Sequence, residues 1–255
     1  MQGLSEITVA QYNLVYNAFS FGIAAMAAAT LFLWLERSKV GSAYKTALTI
    51  SGLVTAIAFY HYLRIFESWD SAFEVVDGAI SLTGVAYNQA YRYVDWLLTV
   101  PLLLIELILV MRLPKNETIS KGFRLGLLAA VMILLGYPGE ISAEAGTRWF
   151  WWVLSMIPFL WIVYELFVGL QDSISRQPDN VKGLISNARW LVVLVWAFYP
   201  IVFIFPMIGL TGGTAVVAVE VGYTIADILA KAVFGILIYV IAVRKSEAEY
   251  GTATA

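Results

Sequence analysis

Apolar residues run along this chain in long blocks, and the polar residues gather in the stretches between them. A helix that crosses a bilayer needs about 20 mostly apolar residues. Seven blocks read as such helices: Tyr12–Leu35, Tyr44–Phe66, Ala90–Met111, Phe123–Tyr137, Thr147–Leu170, Ala188–Leu210 and Ala215–Val243. Their boundaries are good to about three residues. The fourth is the shortest, with Lys121 and Arg124 at one end and Tyr137-Pro138-Gly139 as its stop at the other. The pattern predicts an all-α membrane protein, a seven-transmembrane-helix bundle read as one domain over residues 1–255, with a polar tail over about 246–255.

The connections set an orientation. Arg37, Lys39, Lys45, Arg112, Lys115, Lys121, Arg124, Arg176, Lys182, Arg189, Arg244 and Lys245 fall on one side, twelve of the 16 basic residues. Basic residues mark the cytoplasmic side, so the N-terminus is expected outside and the C-terminus inside. The opening residues MQGLSEITVAQ show no basic region and no small-residue cleavage site, so no signal peptide is expected. The second connection, Glu67 to Asn88, is long and acidic. Val75-Val76, Asp77-Gly78 and Ile80-Leu82 within it spell a short β-hairpin, and a plain acidic loop is the competing reading.

Composition narrows the function classes. Hydrophobic residues are 60% and charged residues 13% of the chain, against about half and a quarter in soluble domains. A net charge of −2 carries no nucleic-acid footprint. Cysteine is absent, which removes disulfides and thiol chemistry, and a single histidine excludes a histidine-rich metal site.

Against that background, ionisable groups inside the spans stand out, because charges at bilayer depth are costly and mark function by default. The third span carries Arg92, Asp95 and Glu106, the seventh Asp227 and Lys231, and the second His61. Glu165 lies nearer a span end and reads as interfacial. Asp227 and Lys231 are four apart and stack on one helix face. Arg92, Asp95 and Thr99 share a face of the third span. Glu106 is eleven residues past Asp95, close to three turns, so both carboxyls point the same way about 16 Å apart. This is a vertical line of proton-exchanging groups. A buried lysine is suited to forming a Schiff base with an aldehyde, and Asp95 with Asp227 can supply the counter-ion. A purely structural pair of bridges, Arg92–Asp95 and Asp227–Lys231, is the competing reading, and it leaves Glu106 unexplained. Trp96, Trp152, Trp196, Tyr62, Tyr199 and Phe203 lie within spans and fit a slot for a flat conjugated ligand.

RYVDWLLTVPLLLIE (Arg92–Glu106), WAFYP (Trp196–Pro200) and YTIADILAK (Tyr223–Lys231) resemble the microbial (type 1) rhodopsins. QYNLVYNAFSFGIAAM, YHYLRIFESWD and GYPGEIS resemble the xanthorhodopsin-like and proteorhodopsin-like bacterial proton pumps, over about residues 11–243. The resemblance implies a light-driven outward proton pump, not an enzyme, with all-trans retinal on a Schiff base at Lys231. It implies that Asp95 is counter-ion and proton acceptor, Asp227 the second counter-ion and Glu106 the cytoplasmic proton donor. It implies that His61 hydrogen-bonds the acceptor and that Arg92 gates the outer half. It puts Tyr62, Trp96, Leu103, Met132, Gly136, Trp152, Ser155, Phe159, Trp196, Tyr199, Pro200 and Phe203 on pocket positions, and Leu103 implies green absorption. It also implies a bacterial plasma membrane and a homo-oligomer, trimer or pentamer.

One position departs from the pattern. Relatives that bind a carotenoid antenna carry a glycine on the fifth span, and here Trp152 falls there. An indole closes that window, so retinal without an antenna is expected. A photosensory rhodopsin is the alternative, against which Glu106 argues. A chloride pump would lack Asp95. Sodium-pumping relatives place Asn, Asp and Gln where this chain has Asp95, Thr99 and Glu106.

Overall fold

A computed structural model of the protein describes residues 3–251. Seven helices are long and apolar enough to cross a membrane. The helices are α1 (Val9–Glu36), α2 (Lys45–Ala72), α3 (Ala90–Met111), α4 (Lys115–Glu140) and α5 (Ala145–Tyr164). They continue with α6 (Gln171–Ser175), α7 (Asp179–Phe203), α8 (Gly213–Asp227) and α9 (Phe234–Tyr250). A π-helical turn, Glu165–Gly169, lies between α5 and α6, and a second, Ile228–Val233, joins α8 to α9. Each of these interrupted runs makes a single span.

The chain starts α1 with a reciprocal cap. The Thr8 side chain accepts from the Gln11 backbone N–H (3.3 Å), and the Gln11 side chain accepts from that of Thr8 (3.0 Å). The third span matches its expected bounds. The connection after α2 forms the hairpin: β1 (Phe73–Val76) pairs antiparallel with β2 (Ala79–Leu82), Val76 opposite Ala79. Asp77 and Gly78 turn the chain with φ of 50° and 79°, the two positive values that a two-residue hairpin turn of type I′ requires.

Two spans differ from the sequence reading. The fourth runs 26 residues, straight through Tyr137-Pro138-Gly139, and ends at Glu140. Proline lacks only its own N–H, and Gly139 serves packing rather than a stop. A Cβ there would sit 3.0 Å from Phe203 and from Trp151. The sixth span begins at Asp179 rather than Ala188 and ends at Phe203 rather than Leu210. Its first turns look polar in sequence because of Lys182 and Arg189, yet Arg189 is buried and donates to the Leu166 carbonyl (3.1 Å). At the other end Pro206 and Gly209 (φ 83°) shape a 3-10 turn, Phe205–Ile208, so the apolar residues there lie in a connection. Glu165 is buried rather than interfacial, 2.6 Å from Arg124 and within hydrogen-bond reach of the Trp161 indole. The expected polar tail is helical through Tyr250, and its residues 252–255 lie outside the described ones.

Neighbouring helices pack in sequence from α1 to α5, and α8 and α9 close the ring against α1 and α7. Leu14, Phe21, Leu31, Phe123, Leu134, Leu160 and Leu194 face outward, as expected where lipid is the solvent. Polar groups are turned inward. At one end of the bundle, here the hairpin end, Phe19, Tyr62, Ile65, Trp69 and Phe73 form a separate buried cluster. The opposite end carries the basic connections and is called the basic end.

Candidate functional site

Lys231 lies in the π-helical turn that breaks the seventh span, and its side chain is buried. Such turns add a residue to one helical loop and recur at functional sites. The Lys231 Nζ is 2.5 Å from the Asp95 Oδ2 on α3 and 3.0 Å from the Asp227 Oδ1, one turn back on its own span. The lysine is therefore shared between two carboxylates. The alternative of separate Arg92–Asp95 and Asp227–Lys231 bridges is not the observed arrangement, because Arg92 turns away and pairs with Glu220 of α8.

The two carboxylates are held differently. Asp227 accepts from Tyr62 (2.9 Å), Tyr199 (2.7 Å) and the Trp96 indole (3.2 Å) in addition to Lys231. Asp95 binds Lys231 through Oδ2, and among the described residues its Oδ1 has no hydrogen-bond partner. His61 stands beside that oxygen with its Nδ1 3.8 Å away, outside hydrogen-bond range. The same nitrogen is 2.9 Å from the Ile57 carbonyl one turn earlier in α2, which holds the ring. The expected His61–Asp95 hydrogen bond is thus a close approach in this structure. Thr99 donates to the Asp95 backbone carbonyl (2.8 Å), not to its carboxylate.

Glu106 lies three turns along α3 toward the basic end and is 0% exposed. Leu103, Leu104, Leu107 and Ile108 are buried around its position on the helix, and neither carboxyl oxygen has a hydrogen-bond partner among the described residues. Ser51 of α2 is its neighbouring polar side chain, and that hydroxyl donates to the Ala47 carbonyl (3.2 Å).

On the hairpin side of Lys231 the polar groups interlock. Glu220 is fully buried and accepts from Tyr87 (3.0 Å), Gln89 (3.1 Å) and Arg92. The Arg92 guanidinium lies over the rings of Phe19, Tyr62 and Tyr223, at 5.4 to 5.8 Å. Tyr87 comes from the connection after the hairpin, where burial first and the Glu220 carboxylate second push its phenol up. Sequence reasoning missed Glu220. It falls inside the expected seventh span, seven residues before Asp227 and so on the same face, and the cost of intramembrane charge was the signal that marks it.

A cavity opens beside Lys231. Trp96, Leu103, Met132, Gly136, Trp152, Ser155, Phe159, Trp196, Tyr199, Pro200 and Phe203 line it, with Asp227 and Lys231 at one end. Tyr62 does not line it and serves as a donor to Asp227 instead. Tyr93, Val100, Ile133, Met156, Tyr223 and Ala230, which sequence reasoning did not single out, complete the wall. Trp152 donates to the Pro200 carbonyl (2.9 Å) and Ser155 to that of Met132 (2.8 Å), which ties α5 to α7 and α4 around the chamber. An apolar, aromatic-walled chamber lined by one amine and one carboxylate, Lys231 and Asp227, fits a long conjugated aldehyde joined to that amine.

Comparisons with known proteins agree with this geometry. Residues 13–245 match the family described as bacteriorhodopsin-like protein. A green-light absorbing proteorhodopsin from a gamma-proteobacterium is 32% identical over 234 residues, covering 91% of this chain and 88% of that one. The crystallographic structure of xanthorhodopsin, described as a light-driven ion pump with dual chromophore, is 52% identical with a TM-score of 0.92, over 95% of this chain and 97% of that one. A thermophilic rhodopsin structure is 42% identical with a TM-score of 0.94, over 98% and 100%.

Proposed function

The chain belongs to the bacteriorhodopsin-like family, and on that premise we propose that it is a light-driven outward proton pump in which Asp95 accepts the proton and Glu106 resupplies it. It is a multi-pass membrane protein of the bacterial rhodopsin type and a transporter rather than an enzyme. Rhodopsins hold retinal covalently through a lysine, which we assign to Lys231. Retinal supplies the absorption of light, green light by our reading of Leu103, and a change of shape that alters the surroundings of the lysine nitrogen.

The observation that carries the reading is the unequal treatment of the two carboxylates at Lys231. Three side-chain donors besides the lysine occupy Asp227, while one Asp95 oxygen stands open 3.8 Å from His61. A proton leaving Nζ therefore finds its vacant lone pair on Asp95. Loss of the Asp95 charge weakens the field that orders the hairpin side. The Arg92–Glu220 pair, whose carboxylate is held by Tyr87 and Gln89, then rearranges, and a proton leaves toward that surface. Glu106 holds a proton at rest because burial among leucines, with only the Ser51 hydroxyl nearby, disfavours a bare carboxylate. About 16 Å separates it from Asp95 along the helix, so water must bridge the gap to refill Nζ. The basic end faces the cytoplasm by its lysines and arginines, which makes the transport outward. One domain, assembled as a homo-oligomer in the bilayer, belongs to the same proposal.

The second chromophore of xanthorhodopsin is not part of this reading. Trp152 fills the fifth-span position at which antenna-binding relatives carry glycine, and its indole is fastened to the Pro200 carbonyl. Carotenoid added to the pigment is expected to transfer no energy to retinal, and a carotenoid band in the excitation spectrum for pumping would overturn that.

The test is to illuminate cells carrying the protein and record the pH of the medium. Acidification that a protonophore abolishes is expected, and Lys231→Ala should take up no visible chromophore and produce no response. A photocycle with no light-driven pH change would favour the photosensory alternative.

A further inference from the structure

Glu106 is the last polar group on α3 before the basic end. Leu107, Ile108, Val110 and Met111, all buried, follow it. Beyond them, inside the bundle rather than at its surface, sits Lys245 of α9, 4% exposed. Its Nζ donates to the Met111 carbonyl (2.8 Å) and to the Gln177 side-chain oxygen (2.7 Å), and it lies 5.6 Å from the centre of the Tyr44 ring. Among the described residues no carboxylate pairs with it. Glu249 and Arg112, the charged groups acting on it, are engaged with one another.

Lys245 thus draws together the end of α3, the connection from α6 to α7 and the start of α2. Its neighbours on α9 extend the same closure. Ser246 accepts from the Gly41 backbone N–H (2.9 Å), and Glu249 accepts from the Tyr44 hydroxyl. The ammonium is held by neutral acceptors alone, which is a costly way to bury a charge. An apolar residue of the same length fills that space without burying a charge, at the expense of the donors to Met111 and Gln177. What the ammonium adds is a seal made of polar groups. When it withdraws, a backbone carbonyl and an amide oxygen are left in the gap, and water binds to both. A seal of leucines leaves nothing for water to hold.

We infer that Lys245 is a positioning residue for proton uptake, closing the basic end at rest and letting water reach Glu106 when its contacts to Met111 and Gln177 part. This rests on the reading of Glu106 as the donor. The step moves one proton along water to the Glu106 carboxylate and changes no other bond.

The experiment uses the full-length pigment in lipid vesicles, with a pH dye in the bulk that resolves proton release and uptake after a single flash. Lys245→Met keeps the length and removes the donors. It is expected to slow uptake roughly tenfold, the scale of a misplaced positioning contact, with release, colour and melting temperature unchanged. Lys245→Arg, which retains donors, should restore uptake. Gln177→Leu tests the same seal from its other side and should also slow uptake. Uptake at the parental rate in Lys245→Met overturns the proposal, as does equal slowing of release and uptake. If Glu106→Gln is slow and Lys245→Met is not, the proposal alone fails. If Glu106→Gln itself keeps the parental rate, the donor reading fails and takes this one with it.

Discussion

The bundle divides at Lys231 into two halves of different chemistry. Toward the hairpin end, Tyr62 donates to Asp227, and Tyr87, Gln89 and Arg92 donate to Glu220, two hydrogen-bonded sets with the Arg92 guanidinium over the Tyr62 ring between them. Toward the basic end, Glu106 stands among buried leucines with no hydrogen-bond partner among the described residues, and the other buried carboxylate there, Glu165, is paired with Arg124. Proton transfer follows connected polar groups and ordered water. The hairpin half is rich in paired polar groups at rest and the other half is not. On the proposed reading, a proton set free at Lys231 leaves through the polar half, whereas entry on the other side must wait for water. The two halves should then respond unequally to the loss of a single group.

The largest effect is expected at the boundary itself. Asp95→Asn removes the vacant acceptor while Asp227, with its three side-chain donors, remains. Light-driven acidification should vanish, and the absorption band should lie permanently to the red, where titration with acid moves the parental pigment. His61 stands 3.8 Å from Asp95, so His61→Ala should shift the midpoint of that parental titration without abolishing it. Transport by Asp95→Asn at the parental rate would mean that the two carboxylates are equivalent after all.

On the proposed reading Glu106 is the proton donor of the apolar half, and its loss should come next. Glu106→Gln preserves size and removes only the exchangeable proton. General acid catalysis contributes about 10²- to 10⁴-fold, so uptake is expected to slow by about a hundredfold or more and to become pH-dependent as bulk water takes over. Colour should barely change. Azide, a small diffusible acid, should restore the rate. Unaltered uptake kinetics over a range of pH would remove Glu106 from the route.

Much of this layout was legible in the sequence, and the gaps have physical reasons. The third span, the hairpin turn at Asp77-Gly78 and the four-residue spacing of Asp227 and Lys231 are local, and local rules read them correctly. The start of α7 was hidden because a helix does not end where a membrane does. Lys182 and Arg189 belong to the same helix as the apolar run after them. The partner of Arg92 was hidden for a different reason. Asp95, three residues on, is an inviting neighbour, but the observed partner Glu220 is 128 residues away in sequence. Spacing along one helix says which side chains share a face and not which neighbouring helix supplies the charge. His61 shows the same limit on a smaller scale, since the carbonyl of its own preceding turn competes for the ring.

The smallest effect is expected in the polar half, where donors are redundant. Tyr87→Phe removes one of the three hydrogen bonds to Glu220 and leaves those from Arg92 and Gln89. The ring keeps its edge-on contact with Trp69, 5.2 Å between centres, so the connection after the hairpin should stay docked. One buried hydrogen bond is worth about 1 kcal/mol, which corresponds to roughly fivefold in a rate. Proton release should change by no more than that, with uptake unaffected. The pH dependence sharpens the test. Burial and Glu220 push the Tyr87 phenol up, so the folded protein retains this proton where a free phenol, near 10, would lose it. The contribution of Tyr87 is then fully present below about pH 10 and fades as the pH rises toward the raised value. Parental release should therefore be flat through neutral and mildly alkaline pH and drift only above that range, and Tyr87→Phe should abolish the drift. A loss of release as large as the loss of uptake in Glu106→Gln would show that the hairpin half depends on one group as heavily as the other half does, and the contrast between the two would fall.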